Sequence, residues 1–331
     1  MSRWRARLGL RTIGALYVWA LIILVFAIWA PDTFLTLDTA RAVLNQNAVT
    51  GLVALGLVVP LSAGIFDLSI GATIAFSGIV TAWLLGNTGM GPLEAAVLGV
   101  LAGTAVGLVN AVVVVGMRVD SFIGTLATGA VVSALTIAIS GRQLLLTGGQ
   151  GGFADIAQKT VAGLTLPVFY MAAVMLLLGI ILQKTVRGRQ LYATGFDAET
   201  AKLAGIPTLG LKAMSLVVSA GVAGFAGIVL ASRLGAGSGT EGPAYLLPAF
   251  AAAFLGATQF QPGRFNTWGT IVAVLMIGTG QTGIVLVGAP SWASDVFLGF
   301  VLILAVSITG VERRGSLRHR RAATGTAGST E

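Results

Sequence analysis

The feature that most constrains this chain is a series of long apolar runs, separated by shorter intervals that hold most of the charged residues. Only 10% of the 331 residues are charged and 56% are hydrophobic, whereas a soluble domain carries about 25% charged residues. Several runs approach the roughly 17–25 residues that a helix needs to cross a bilayer. The sequence therefore predicts an all-α, polytopic membrane protein and excludes an ordinary soluble enzyme.

Ten apolar segments can be distinguished, some near the length of a full span and some shorter. The shorter ones contain Gly or Pro, so broken or re-entrant helices are an alternative to full crossings. The segments cover residues 13–30, 43–62, 70–86, 93–115, 122–140, 166–183, 212–231, 245–258, 268–287 and 292–309. We therefore expect about ten transmembrane helices.

The basic residues indicate how these segments are oriented. If the N-terminus lies inside, sixteen of the twenty Lys and Arg residues fall in cytoplasmic pieces, and the other four are Arg41, Arg142, Lys159 and Arg233. Cytoplasmic segments beside membrane spans carry an excess of basic residues. The bias predicts an even number of spans with both termini in the cytoplasm. It also accounts for the net charge of +8 better than nucleic-acid binding does.

The chain is expected to form one domain followed by a tail. Residues 1–311 make up the predicted transmembrane domain, which opens with a cluster of arginines before an uncleaved first span. Residues 312–331 are basic and then rich in Ala, Gly, Ser and Thr, which predicts a disordered cytoplasmic tail. The chain has no Cys, and its single His lies in this tail, so neither thiolate chemistry nor a metal site is predicted.

The polar interval 184–212 contains a very short predicted helix with both ends marked. Asp197 is a good N-cap, and Glu199 falls in the first turn, where the helix dipole favours a negative charge. Lys202 lies near the other end, and Gly205 can adopt the left-handed conformation that ends a helix. Because a two-turn helix is unstable alone in water, we expect it to dock on the membrane domain or on a partner.

Gly99, Gly103 and Gly107 recur every four residues and predict a helix face on which another helix packs closely. We expect this face to pack within the subunit. Dimerisation through the same face is the alternative.

Several polar residues beside or within the apolar runs are candidates for a transport pathway. Asn45 and Asn47 open the second segment and Gln281 lies in the ninth, where such amides bond hydroxyl groups in a pore or satisfy neighbouring helices. A carboxylate near hydrocarbon is costly, which makes Asp67, followed by Ser69, a candidate for the pathway or for a hinge. The alternative, which we prefer, is that Asp67 caps a helix beginning near residue 68.

Residues 199–205 match the Glu-Ala-Ala-x-x-x-Gly cytoplasmic loop of ABC import permeases, with Thr200 in place of one Ala. Over residues 40–310 the chain resembles the ribose-type (monosaccharide) ABC permease family, because further motifs follow in that family's order. These motifs cover residues 64–71, 122–126 with 146–149, 231–233, 255–258, and 263–264 with 269–270. Pro248 and Phe265 depart from the family's usual residues, which leaves the substrate open.

The resemblance implies the membrane-spanning permease subunit of an ATP-driven importer for a monosaccharide, such as ribose, or a related small polyol. It implies a bacterial inner-membrane location, with a second permease copy, an ATP-binding subunit and an extracytoplasmic solute-binding protein as partners. The short helix would meet the ATP-binding subunit through Asp197, Glu199, Ala201, Lys202, Leu203 and Gly205. The chain has no Gly-x-x-x-x-Gly-Lys-Ser/Thr loop, so ATP is expected to bind to the partner and no enzymatic activity is expected here.

Two other functions stay open at this point. A permease of the branched-chain amino-acid group would use the same ATP-driven mechanism on a different substrate. A stand-alone secondary transporter would need ionisable residues deep in its spans as ion or proton relays, and the apolar segments hold almost none.

Overall fold

The computed structural model describes residues 10–147, 152–261 and 263–307, with side chains from residue 16 onward. These residues are predominantly helical, which confirms the all-α prediction. The predicted tail, 312–331, and the arginines that precede residue 10 lie outside the described residues, as do Gly148 and Gly149 of the matched motif.

The described helices and strands follow one another with short connections. In chain order the helices are α1 (Leu10–Trp29), α2 (Pro31–Phe34), α3 (Leu37–Ser62), α4 (Ile70–Asn87), α5 (Pro92–Ala111, continued by a π-helical turn, Val112–Gly116), α6 (Ser121–Ser140), α7 (Asp155–Gln158), α8 (Leu166–Lys184), α9 (Val186–Phe196), α10 (Ala198–Leu203), α11 (Thr208–Leu234), α12 (Leu246–Gly256), α13 (Thr267–Leu286) and α14 (Ser291–Ser307). Four two-residue strands form two antiparallel pairs, β1 (Leu145–Leu146) with β4 (Ala236–Gly237) and β2 (Thr160–Val161) with β3 (Leu164–Thr165).

Seven of the described helices are long and apolar enough to cross a membrane, namely α3, α4, α5, α6, α8, α11 and α13. Three more apolar helices, in α1, α12 and α14, are shorter. The expected segment at 245–258 corresponds to the short helix α12. A 3₁₀ turn, Gly242–Tyr245, comes directly before it, so the α-helix itself begins only at Leu246. The second expected segment begins earlier than its apolar run, at Leu37. The chain is thus a multi-pass membrane protein.

Helix α3 lies at the centre of the bundle. Its second half, residues 51–62, is buried throughout, because α8, α11, α12 and α13 pack around it. Helix α11 in turn packs against α4 and α5. Helix α3 therefore contacts four other helices of the bundle.

The glycine face of α5 packs within the subunit, as expected. A Cβ atom at Gly103 would lie 2.7 Å from the Cα atom of Gly224, and one at Gly107 would lie 2.8 Å from the carbonyl oxygen of Leu216. No side chain fits at these distances, so α5 and α11 meet backbone to backbone. Because α11 covers this face, the alternative of dimerisation through it is wrong.

Hydroxyl groups inside the apolar helices are largely satisfied within their own helix. Thr81, Thr104 and Thr136 each donate to the carbonyl oxygen four residues earlier, at 2.8 Å. Such bonds allow a polar side chain to lie in surroundings without water. A threonine in a span without this bond has its hydroxyl available for another partner.

A non-helical segment, residues 63–69, joins α3 to α4 at the end of α3 where α9 lies. Gly64 has a φ of +76°, and a Cβ atom there would lie 3.1 Å from the Cα atom of Gly195 in α9. The two backbones therefore approach as closely as glycine permits. This contact holds the polar interval after α8 against the C-terminal end of α3.

Candidate functional site

Helix α10 forms where the sequence predicts it, with the predicted residues at both ends. The Asp197 carboxylate accepts from the backbone N–H groups of Glu199 and Thr200, both at 3.1 Å, and from the Thr200 hydroxyl at 2.6 Å. Gly205 has a φ of +79°, and its N–H donates to the Lys202 carbonyl at 3.0 Å. Side-chain capping and a left-handed glycine satisfy the backbone at the ends of a helix that is too short to be stable alone.

Most of α10 faces away from the rest of the chain. Ala201 is buried, whereas Glu199, Lys202 and Gly205 are exposed. Leu203 is 91% exposed. A leucine this exposed contributes nothing to the packing of its own chain, so it is available to pack against another protein.

Helix α9 fixes α10 to the bundle. The Tyr192 hydroxyl donates to the Phe265 carbonyl at 2.6 Å, and the Arg264 guanidinium lies 5.6 Å from the centre of the Tyr192 ring. Burial raises the pKa of the Tyr192 phenol above its ordinary value, so the hydroxyl stays protonated and donates at neutral pH. Together with the Gly64–Gly195 contact, these bonds connect α9 to both the 63–69 segment and the segment before α13.

Asp67 lies in a buried group that we call the Asp67 cluster: Asp67, Ser69, Asn110 and Ser219. One carboxylate oxygen of Asp67 accepts from the N–H and the hydroxyl of Ser69, at 3.1 and 2.7 Å. The other accepts from the Ser219 hydroxyl at 2.8 Å, and the Asn110 amide donates to the Ser69 hydroxyl at 2.7 Å. Asp67 is fully buried, and no described Lys or Arg forms an ion pair with it. Hydrogen bonds alone therefore hold this carboxylate.

The capping role preferred for Asp67 is wrong. Helix α4 begins at Ile70 with Ser69 at the N-cap position, and Asp67 bonds Ser69 and the distant Ser219 instead of the first turn. The segment is held from α6 as well, because the Thr125 hydroxyl accepts from the Leu68 N–H at 2.9 Å. The Asp67 cluster thus joins α4, α5 and α11, with Asn110 of α5 bonded through Ser69, and Asp67 itself is fully buried.

A second polar group lines an open pocket of about 560 Å³ between the first half of α3 and the end of α13. We call it the α3–α13 pocket and define it by Gln46, Asn47, Thr50, Gln281 and Thr282. Asn47 donates to the Val43 carbonyl of its own helix at 2.8 Å. Within the described part of the chain, the side chains of Gln46, Thr50, Gln281 and Thr282 have no hydrogen-bond partner.

Asn45 lies beside this pocket in the sequence but faces elsewhere. Its side-chain oxygen accepts from the N–H and the hydroxyl of Thr165, at 2.9 and 3.1 Å, and its amide donates to the Gly163 carbonyl at 3.3 Å. These bonds fasten the hairpin of β2 and β3 to the start of α3. The side chain of Asn45 is therefore occupied by the hairpin and does not line the pocket.

The structure separates the five pathway candidates into three places. Asn47 and Gln281 come together in the α3–α13 pocket, Asp67 and Ser69 lie in the Asp67 cluster, and Asn45 bonds the hairpin. The separation between pocket and cluster is large, since Asn47 lies 15 residues before the end of α3 at Ser62, which corresponds to about 22 Å along the helix axis.

Some residues of these sites carried little signal in the sequence. Thr50 lies four residues after Gln46 and therefore on the same face of α3, a spacing that could have identified it. Asn110 and Ser219 are single polar residues in apolar runs, far from Asp67 in the chain. Only the packing of α5 and α11 against α4 brings them to the carboxylate.

Comparison with known families places these features in context. The family described as "Branched-chain amino acid transport system / permease component" matches residues 39–306. This match runs from the first turn of α3 to the last turn of α14, and it includes α10 and the residues of both polar groups.

Three proteins of known role are similar over most of the chain. The D-allose transport system permease protein of Escherichia coli is 31% identical over 296 residues, which cover 89% of this chain and 90% of that protein. The L-arabinose ABC transporter permease protein of Azospirillum brasilense is 32% identical over 88% of this chain and 86% of that protein. The ribose import permease protein of Bacillus subtilis is 33% identical over 80% of this chain and 82% of that protein.

Proposed function

Since this chain belongs to the family of branched-chain amino acid transport system permease components, we propose that it is the membrane-spanning subunit of an ATP-driven importer for a monosaccharide, such as ribose, or a related small polyol. The observation that carries the proposal is the similarity, at about 30% identity over nearly the full length, to permeases whose names specify D-allose, L-arabinose and ribose. The family description names amino acids, but these three relatives transport sugars by name. We therefore prefer a sugar to an amino acid.

The proposed arrangement has ten membrane crossings and both termini in the cytoplasm. The seven long helices and the three shorter apolar ones supply ten crossings, and the basic residues favour this orientation. It places α9 and α10 on the cytoplasmic side and the α3–α13 pocket towards the outside. The proposed partners are an ATP-binding subunit inside, a solute-binding protein outside and a second copy of this chain.

Helix α10 is the proposed contact with the ATP-binding subunit. Glu199, Lys202 and Leu203 project from it, while the buried Ala201 holds it against the bundle. ATP-driven movement of the partner would displace α10, and the bonds of α9 would pass that displacement to the 63–69 segment and the segment before α13. Rigid helices then carry it across the membrane, which opens the pathway to one side at a time. The chain itself supplies neither an ATP site nor a reaction.

The proposal is tested in vesicles that hold the permease with the ATP-binding subunit and the binding protein. We expect uptake of at least one of ribose, L-arabinose and D-allose that requires ATP and both partners. Leu203→Asp places a charge on the apolar tip of α10, so it should lower uptake about tenfold, as truncation of an interface contact does. Leu203→Met, which keeps the apolar tip, is the matched control and should retain uptake.

Three results would contradict this function. Uptake by the chain alone, driven by an ion gradient, would indicate a secondary transporter. ATP-dependent uptake of leucine in place of any of the sugars would indicate the amino-acid branch of the family. Equal uptake by the two Leu203 variants would remove α10 from the contact with the ATP-binding subunit.

A further inference from the structure

We infer that the α3–α13 pocket is a binding site for one uncharged, hydroxyl-rich sugar, formed by Gln46, Asn47, Thr50, Gln281 and Thr282. The inference rests on the proposed function and adds to it the place and the chemistry of first contact within the membrane subunit. Three properties of the pocket lead to it: the unused hydrogen-bonding capacity of its side chains, the surroundings that such side chains require, and the charge of its lining.

The side chains of the pocket hold hydrogen-bonding capacity that the chain does not use. Thr50 and Thr282 lack the bond to the carbonyl four residues earlier that Thr104 makes at 2.8 Å. The amides of Gln46 and Gln281 likewise bond no described residue. Two amides and two hydroxyls thus remain available on facing sides of the same pocket.

These side chains cannot face hydrocarbon. Transferring an amide from water to an apolar medium without a hydrogen bond costs several kcal/mol, so unsatisfied amides do not lie against lipid tails. Gln46 and Thr50 lie on one face of α3, and Gln281 and Thr282 lie across from them on α13. The pocket must therefore hold water or a polar ligand.

The chemistry of the lining matches sugar hydroxyls better than it matches ions. Amides and hydroxyls both donate and accept, as each sugar hydroxyl does. The charged residue of the lining is Asp38 at the rim, whose carboxylate lies 3.5 Å from the Arg41 guanidinium, and no Lys or Arg lines the pocket. Two cations lie just outside the lining: Arg41 pairs with Asp38, and Arg233 donates to the Gln46 carbonyl at 3.3 Å. Inside the pocket, a phosphate or a carboxylate would meet neutral amides and hydroxyls, which suit an uncharged sugar better.

The size and openness of the pocket suit a brief stop on a transport route. Its volume of about 560 Å³ lies within the roughly 300–1,000 Å³ range of small-molecule sites. A monosaccharide would retain water on part of its surface, and the long amide side chains would lose rotamer freedom on binding it. Affinity is therefore expected to be weak, which allows the sugar to leave again.

The chain offers a clean test because it contains no cysteine. In Thr282→Cys the permease has one thiol, which lies in the pocket, and its labelling by a membrane-impermeant methanethiosulfonate reagent is followed in the complete complex in vesicles. Ribose, L-arabinose and D-allose are the probes, and ribose 5-phosphate and leucine test the charge selectivity. Thr50→Cys serves as the second position, and Thr88→Cys, at an exposed position after the end of α4 and away from the pocket, is the matched control.

We expect the sugar that the wild-type complex imports to slow labelling at Thr282→Cys and Thr50→Cys about tenfold. Labelling at Thr88→Cys should not respond, and ribose 5-phosphate and leucine should not protect either pocket position. Gln281→Leu should lower sugar uptake about tenfold while ATP hydrolysis stimulated by the loaded binding protein stays within about twofold, because the pocket contacts sugar and not the ATP-binding subunit.

Import by the wild-type complex with unchanged labelling at both pocket positions would overturn the inference and leave the proposed function standing. Equal protection by ribose 5-phosphate or by leucine would also overturn it. If the wild-type complex imports none of the three sugars, the proposed function fails, and this inference fails with it.

Discussion

The α3–α13 pocket and the Asp67 cluster are both groups of polar side chains among apolar helices, and they differ in where their hydrogen bonds go. Both oxygens of the Asp67 carboxylate accept from groups of this chain. In the pocket, the amides of Gln46 and Gln281 have no partner in the described part of the chain. The first group is closed and, apart from the side-chain oxygen of Asn110, satisfied within the described residues, whereas the second is open and has capacity left over.

This difference separates structure from binding more reliably than residue type does. A polar group inside a membrane protein must bond the protein, water or a ligand, because hydrocarbon offers no partner. The Asp67 cluster bonds the protein and thereby ties α4, α5 and α11 together. The pocket leaves its groups for a molecule that comes and goes. A carboxylate within the apolar region would ordinarily mark a transport site, yet here the neutral residues carry the stronger indication.

The largest expected effect is on stability, in the Asp67 cluster. Asp67→Leu removes the acceptor of three hydrogen bonds and leaves the hydroxyls of Ser69 and Ser219 buried without it. We expect the free energy of unfolding to fall by about 3 kcal/mol, since each bond to a charged group contributes about 1.5–3 kcal/mol and removal of the buried charge offsets part of the loss. Denaturant unfolding in detergent micelles measures the change.

Asp67→Asn is the matched control for this substitution. The amide oxygen can accept from Ser69, and the amide nitrogen can donate to the Ser219 hydroxyl, so the loss should stay within about 1 kcal/mol. If Asp67→Leu were as stable as Asp67→Asn, the cluster would not hold the helices together. The contrast between a structural and a binding group would then disappear.

Local signals in the sequence predict local structure well in this chain. Asp197 and Gly205 define α10 because an N-cap and a left-handed glycine act within one turn of the helix end. The apolar runs predict helices for a similar reason, since in lipid a helix satisfies its own backbone. The spacing of Gly99, Gly103 and Gly107 likewise predicts a packing face, although it does not identify α11 as the helix that packs there.

Sites made by distant segments could not be predicted in this way. Asp67 is followed by an apolar run, as an N-cap is, but its second oxygen bonds Ser219, and nothing in the sequence near Asp67 points to that partner. Asn45 and Asn47 are indistinguishable in the sequence, yet helical geometry turns one to the hairpin and the other to the pocket. Gln281 becomes part of a site only because α13 packs beside α3.

A smaller effect on stability is expected at Asn45. This residue is close to the pocket residues in the sequence, but in the structure its side chain bonds the hairpin. Asn45→Ala removes three hydrogen bonds to Gly163 and Thr165 at a partly exposed position, so water replaces some of them. The loss should be about 1 kcal/mol and confined to the hairpin. Hydrogen exchange of the Thr165 amide should become about fivefold faster.

Asn87→Ala is the control for the Asn45 substitution, because the Asn87 amide donates only to the Trp83 carbonyl of its own helix, at 2.9 Å. It should leave the exchange of the hairpin unchanged. A loss of sugar uptake in Asn45→Ala with normal exchange at Thr165 would contradict the structural role. It would return Asn45 to the transport pathway, where the sequence first suggested it.

The smallest expected effect on stability is in the pocket itself. Gln281→Leu removes an amide that bonds nothing in the described part of the chain, so the free energy of unfolding should change by less than about 0.5 kcal/mol. Gln158→Leu is the matched control, because the Gln158 amide donates to the Ser232 carbonyl at 3.1 Å and its loss should cost about 1 kcal/mol. The two variants are compared by denaturant unfolding under identical detergent conditions. If Gln281→Leu proved as costly as Gln158→Leu, the Gln281 amide would have a structural partner, and the pocket would resemble the Asp67 cluster after all.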